Sequence, residues 1–486
     1  MADVRVRFAP SPTGSLHIGG VRTTLYNYFL ARQTKGALIL RVEDTDQDRL
    51  VPGAIDSIYE SLRWMGIEWD EGPREGGAFA PYVQSERLPL YHEHAAALVT
   101  EGAAYFCFCS EERLEQVRRA QQQRREITHY DRHCRRIDPA EAADRASREP
   151  HVIRLKVPDE GTIAIEDLVF GHVEWELRTL EDQVLVKSDG FPTYHLAAIV
   201  DDHAMKISHV LRAEDWLPST PKHLLVYGAF GWEVPPHAHL PNVLGADGKK
   251  LSKRHGATAV SEFRAGGYLP EALANFLALI GWSPGTEDEV FSLAELVERW
   301  RIERVHTAGG KWDADRLRWF NGVWIRRLTA DELVRRLREF VPSEWDEGLL
   351  SAIAPHIQER MQTLTEAKEQ IEFLFTDVLE YDGALLVPKK REKGDTTEAL
   401  ARATVPLRYL EPFDGERIEN ALKAVAEEIG WKQGDLNRPL RVAITGRTVG
   451  PPLYQSIAVL GKERALHRIE AAQEKLAEPA QSSSWS

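Results

Sequence analysis

What most limits the possible folds of this chain is the order of elements at its start. Residues 4–8 alternate polar and apolar side chains as a short strand does, and a turn rich in Pro and Gly follows over 10–15. Residues 18–34 then carry helical spacing, and 37–42 form a second apolar run that ends in Glu43, Asp44 and Asp46. Strand, turn, helix and strand make a βαβ unit, which commits the chain to a parallel sheet with helices packed on it. Polar groups gather where the strands end, the place where open parallel sheets bind ligands.

Helical patterns continue at 54–65 and 86–101. Between 104 and 180 the character changes: three cysteines and an Arg-rich helix precede strand-like runs at 151–157 and 161–170, which reads as an insertion. Runs at 184–186 and 195–200 are expected to resume the parallel sheet, and 219–230 to form a crossover helix capped by Ser219 or Thr220. Beyond Pro270 strand signals thin out. Leu273, Phe276, Leu277 and Ile280 stand at helical spacing, similar patterns recur through 330–380 and 399–428, and the last third is expected to be mainly helical. The polar stretch 387–397 reads as an exposed joint between helical units, and the Ser-rich end, 480–486, as disordered. A chain of 486 residues has room for about three to five folding units.

No secretory signal precedes the first strand, no run is long and apolar enough to span a bilayer, and there are 3 cysteines. The expectation is a cytoplasmic protein, without a membrane partner and monomeric. A net charge of -14 works against general affinity for nucleic acid. Basic residues nevertheless cluster, at Arg118, Arg119, Arg124 and Arg125, at Arg132, Arg135 and Arg136, and at Lys389, Lys390, Arg391 and Lys393. An acidic body with basic strips repels nucleic acid except at those strips, although solvated surface segments would read the same way.

Two segments carry chemistry. The first, His17-Ile18-Gly19-Gly20, leads from the first turn into the first helix. Glycines without Cβ let a nucleotide lie against the backbone, the helix N-terminus offers unpaired N–H groups to phosphate, and His17 can donate to a phosphate oxygen. The second, Lys250-Leu251-Ser252-Lys253-Arg254, places two ammonium groups on a Gly-containing loop, where they can neutralise charge as pyrophosphate leaves. Taken singly, each has a plain alternative: a Gly turn with an incidental histidine, and a solvated Lys-rich loop.

Together they resemble the paired signatures of class I aminoacyl-tRNA synthetases, with Gly20 where the first signature usually has a second histidine. Arg7 to Gly14, Arg41 to Asp46, Pro192 to His195, Val210 to Asp215, Gly267 to Glu271, Asp313 to Asn321 and Leu460 to Arg464 extend the likeness to the bacterial glutamyl-tRNA synthetase family, nearly end to end.

The resemblance implies an α/β fold. A Rossmann-like parallel-sheet catalytic domain (1–103 and 183–240) is split by an inserted acceptor-end binding domain (104–182). A stem-contact region carrying the lysine loop (241–325) and all-α anticodon-binding domains (326–386 and 387–479) follow. It implies glutamate activation by ATP with Mg2+, then transfer to the 3′-terminal ribose of tRNA(Glu). A non-discriminating form that also charges tRNA(Gln) with glutamate is one alternative, and a catalytically idle tRNA-binding protein is the alternative of a different class. His17, Lys250 and Lys253 would be catalytic, and Gly19, Gly20, Leu251 and Ser252 would join them around ATP. Arg7, Ala9, Ser11, Glu43, Tyr194 and Arg212 would bind glutamate. A substrate with two carboxylates and one ammonium calls for arginines and an acid, although such residues also form structural ion pairs. Ala198 replaces an Asn found in some members. Anticodon discrimination is unread, with Gln358 the only residue singled out nearby.

All three cysteines, Cys107, Cys109 and Cys134, lie in the insertion, which favours a metal over chance packing. By resemblance to zinc-bearing members the ion is Zn2+, with Tyr130 as fourth ligand and His129 or His133 as alternatives, because Arg136 stands where others carry histidine.

Overall fold

The computed structural model describes residues 3–126 and 128–477, so the end expected to be disordered, 480–486, lies outside the described residues. Two compact units form: one from the chain up to Ala265 together with Pro270–Ala314, the other from Gly266–Leu269 and the chain from Asp315 on.

In the first unit, β1 (Arg5–Phe8), α1 (Ile18–Thr34) and β2 (Ala37–Leu40) make the βαβ unit, with β1 and β2 parallel from Arg5↔Ala37 to Phe8↔Leu40. Lys35, at φ 54°, ends α1 in the left-handed region. At Gly36 an added Cβ would lie 2.1 Å from the Val4 carbonyl oxygen, so only glycine fits where α1 turns back into β2. Helices α2 (Ala54–Trp64) and α3 (Leu88–Thr100) follow.

The insertion contains β3 (Ala104–Cys107), α4 (Glu111–Gln123), α5 (Pro139–Ala146), β4 (Val152–Leu155), the hairpin of β5 (Thr162–Asp167) and β6 (Gly171–Glu176), and β7 (Val184–Val186). Strands β3, β4 and β7 form an antiparallel sheet in that order. This corrects one expectation, since 184–186 closes the insertion's sheet instead of resuming the parallel one. The run 195–200 also differs: it lies inside α6 (Tyr194–Ala204), whose residues 196–202 are all buried. A short apolar run buried on every side has no periodicity with which to tell strand from helix.

The parallel pattern resumes in β8 (Val210–Ala213), α7 (Thr220–Ala229) and β9 (His237–Leu240), with β8 and β9 parallel. The Ser208 N–H donates to the Arg5 carbonyl at 2.9 Å and ties the start of β8 to β1. Neither Ser219 nor Thr220 caps α7, because Ser219 makes no capping bond and the Thr220 hydroxyl turns to Arg212, His239 and the Trp216 carbonyl. Tyr91 and Leu98 of α3, Leu155 and Leu185 of the inserted sheet, Leu196 of α6 and Val226 of α7 share one core. Each fully buried apolar side chain there contributes about 1.5–3 kcal/mol, which holds the insertion firmly on the α/β body.

Among the described residues the second unit is all helical: α11 (Ala314–Arg327), α12 (Ala330–Leu337), α13 (Glu347–Gln358), α14 (Glu366–Ile371), α15 (Lys393–Tyr409), α16 (Gly415–Glu428), α17 (Gln433–Thr445), α18 (Leu453–Leu460) and α19 (Lys462–Ala477). Between β9 and α11 the first unit adds β10 (Val243–Leu244), α8 (Val260–Ala265), α9 (Pro270–Leu279), α10 (Leu293–Arg299) and β11 (Gly310–Lys311). The latter part of the expected joint is already the first turn of α15, where Glu392 and Asp395 form a capping box. A polar helix start reads as a loop in sequence. No described helix is long and apolar enough to cross a membrane.

Candidate active site

His17 is the N-cap of α1, and its Nδ1 accepts from the Gly19 N–H at 3.0 Å. That bond leaves the proton of the neutral ring on Nε2 as a donor. Burial first, then the nearby Lys250 and Lys253, hold His17 below the usual histidine range, with Glu262 opposing. The segment after the lysine loop is fastened to this turn: Ile18 N–H donates to the Thr258 carbonyl (2.9 Å), and Val260 N–H to the Leu16 carbonyl (3.1 Å). His17, Gly19 and Gly20 thereby face Lys250, Leu251, Ser252 and Lys253 across a cleft of about 750 Å³. Lys250 is ion-paired with Asp215, and Asp247 braces the loop through the Lys249 N–H (2.9 Å) and Arg254 (3.1 Å).

A second cleft, of about 940 Å³, is lined by Arg7, Ala9, Ser11, Glu43, Tyr194 and Arg212, all six residues of the expected amino-acid pocket. Gly20, Thr23 and Ala213 line both clefts, so an amino acid and a nucleotide bound in them would meet there. Ala198 is buried in α6.

Beneath the pocket lies an ionic network in which Arg7 and Glu43 form the structural ion pairs that were their alternative reading, together with Asp201 and Asp202, which the sequence reading missed. Arg7 is forked on Asp202 (3.0 and 3.3 Å), Arg41 reaches Asp202 (2.8 Å) and Glu43 (2.9 Å), and Asp201 takes Arg87 (2.7 Å) and the Tyr91 hydroxyl (2.8 Å). Burial pushes the Glu43 carboxyl up, against the pull of Arg41 and Arg7. A signal for Asp201 and Asp202 did exist, since two adjacent acids follow the apolar run 196–200. Trp216, whose ring lies 4.0 Å from that of Tyr194, was also missed.

In the insertion, the sulfur atoms of Cys107, Cys109 and Cys134 lie within 4.8 Å of one another. The Tyr130 hydroxyl stands 3.3 Å from Cys107 Sγ and 3.6 Å from Cys109 Sγ, whereas neither His129 nor His133 joins the cluster. Three thiols and a phenol converging from one loop and one strand end suit a tetrahedral, soft-ligand ion.

In the second unit a cleft of about 910 Å³ is lined by residues that include Arg360, Arg447, Thr448 and Val449. Gln358 does not reach outward: its amide donates to the Ile325 and Leu328 carbonyls, both at 2.8 Å.

Residues 3–319 match the family model of class I tRNA synthetases (E and Q), catalytic domain, and 332–473 match an anticodon binding domain. A glutamate–tRNA ligase of Dehalococcoides mccartyi is 46% identical, covering 98% of this chain and 99% of the relative. Another, of Roseiflexus castenholzii, is 47% identical and covers 96% of each. A solved glutamate tRNA ligase from Elizabethkingia meningosepticum, in complex with its amino acid, superposes with a TM-score of 0.88 at 35% identity, covering 98% of this chain and 100% of that one. With both halves of the chain matched and near-complete coverage at this identity, the protein belongs to the glutamate–tRNA ligase family of class I tRNA synthetases.

Proposed function

We propose that this protein activates L-glutamate with ATP and transfers it to the 3′-terminal ribose of tRNA(Glu). The observation that carries this is the shared wall of the two clefts, one lined by His17 and the lysine loop, the other by Arg7, Glu43 and Arg212. ATP, entering as its magnesium complex, lies against Gly19 and Gly20. Glutamate enters with a carboxylate on Arg212 and its ammonium near Glu43, while Arg7 and Tyr194 face its side chain. Its α-carboxylate attacks the α-phosphorus, and pyrophosphate leaves. His17 Nε2 donates to the phosphate oxygen that gains charge, and Lys250 and Lys253 follow the departing pyrophosphate. The ribose hydroxyl of tRNA then displaces AMP from the mixed anhydride. Positioning and charge stabilisation suffice, so no covalent enzyme intermediate is needed.

The insertion serves as the acceptor-end module and the second unit as the anticodon module. Cys107, Cys109, Cys134 and Tyr130 would hold zinc, a closed structural ion outside the reaction path. The test is acylation of purified tRNA(Glu) and tRNA(Gln) with labelled glutamate, and with labelled glutamine as control. Transfer of glutamate to tRNA(Glu) is expected; no transfer of either amino acid would favour an idle RNA-binding protein.

A further inference from the structure

Arg212, at the end of β8 and 5% exposed, is held by neutral acceptors. Its Nε donates to His239 Nε2 (3.0 Å), its Nη2 to Thr220 Oγ1 (2.9 Å), and its Nη1 to His223 Nδ1 (3.0 Å) and the Tyr194 hydroxyl (3.4 Å). A guanidinium has only donors, so each imidazole nitrogen facing it must be a lone pair. His239 therefore carries its proton on Nδ1, which points at Asp167 Oδ2 2.6 Å away. The other Asp167 oxygen is fixed by the Val169 and Phe170 N–H groups, both at 2.9 Å. Burial lowers the basicity of His239 and His223 and keeps both rings neutral, although Asp167 pulls His239 the other way. Among the described residues Arg212 has no ion-pair partner, in contrast to Arg7 and Arg41, which share Asp202.

We propose that Asp167 and His239 are positioning residues for substrate binding: Asp167 fixes the His239 tautomer, and His239 then aims the uncompensated Arg212 guanidinium at a glutamate carboxylate. This rests on the reading of the pocket as glutamate's. Asp167 ends β5, so the inserted hairpin touches His239, the partner of Arg212, at its ring and at its backbone N–H (3.2 Å).

Asp167→Asn is nearly isosteric and tests the tautomer directly. The Val169 and Phe170 N–H groups retain the amide oxygen, so the amide NH2 faces His239 Nδ1. The ring proton then moves to Nε2, and two donors confront each other at Arg212. Glutamate affinity of the full-length protein with tRNA(Glu), measured by calorimetry, should fall about tenfold or more, the worth of one charge-assisted hydrogen bond. KM for ATP and for tRNA should stay within about twofold, whereas a loosened hairpin would raise KM for tRNA. In an Arg212→Lys background the same change should add little, because its effect passes through the guanidinium.

If D167N does not fold by circular dichroism, His239→Phe takes its place with the same expectation. Wild-type binding of glutamate with unchanged affinity in the variant, or an equal loss in the R212K background, would overturn the relay alone. A wild type that binds no glutamate would overturn the pocket reading and the relay with it.

Discussion

Arg7 and Asp202 meet as a buried fork, Nε to Oδ1 at 3.0 Å and Nη2 to Oδ2 at 3.3 Å, with side chains 5% and 3% exposed. Arg41, fully buried, shares the same Oδ1 at 2.8 Å while also reaching Glu43 at 2.9 Å, so the Asp202 carboxylate contributes to the compensation of two guanidinium groups. Asp202→Asn removes that compensation and should cost about 3–5 kcal/mol, read as a lower urea midpoint with an unchanged slope. Burial alone would raise the Asp202 carboxyl, but Arg7 and Arg41 outweigh it and hold it below the usual range. Its contribution is therefore complete above the unfolded value of about 3.9 and is lost as pH falls through the lower folded value. The variant should show a flatter acid limb, and an unchanged midpoint would mean that the fork adds no stability.

In the proposed reaction His17 would act in its neutral form, with Nε2 as donor, and its depressed basicity keeps it neutral at and above the ordinary histidine pKa of about 6.5. The kcat–pH profile should show no loss from this group between about pH 6.5 and 8. His17→Ala should lower kcat by about 10²–10³-fold, the usual loss for one transition-state donor, with KM for glutamate little changed. A rise in KM for glutamate alone would put His17 elsewhere in the mechanism.

Lys250 rests on Asp215 in a pair whose side chains are 58% and 42% exposed. An exposed pair is worth about 0–1 kcal/mol, so ATP phosphates can take the ammonium away at small cost. Asp215→Asn should leave thermal stability almost unchanged and lower KM for ATP by no more than about fivefold. Lys250→Met should lower kcat by about 10²-fold or more. Equal kcat values for wild type and K250M would remove this lysine from the reaction.

The cysteine cluster predicts one zinc per chain by plasma mass spectrometry of the purified protein. Chelation, or Cys134→Ser, should raise KM for tRNA while leaving KM for glutamate within about twofold, because an ion held there would order the insertion and none of the three cysteines lines the Arg7 cleft. Tyr130→Phe should weaken zinc retention about 10–100-fold if the phenol is a ligand, and leave it unchanged if the cysteines alone hold the ion.

Local signals reached a long way into this molecule. The βαβ start, the 17–20 turn and the lysine loop lie in segments whose turn chemistry and spacing are short-range properties; the six residues expected around glutamate came from the family resemblance, and the structure gathers them with those segments along two adjoining clefts. Where local signals failed, burial had erased the pattern. Residues 195–200 form a helix buried along nearly its whole circumference, and 184–186 pairs with a strand that no local rule could select.

Amino-acid order by itself determined the α/β start, the helical last third and the two signature segments, because periodicity, glycine placement and charge act over a few residues. Tertiary structure alone decided the partners of the charged groups. Arg212 stands 27 residues from His239, His239 stands 72 from Asp167, and Arg7 stands 195 from Asp202. Whether a carboxylate, an imidazole or a substrate answers a buried guanidinium depends on what the sheet order brings within hydrogen-bonding distance after water has been excluded.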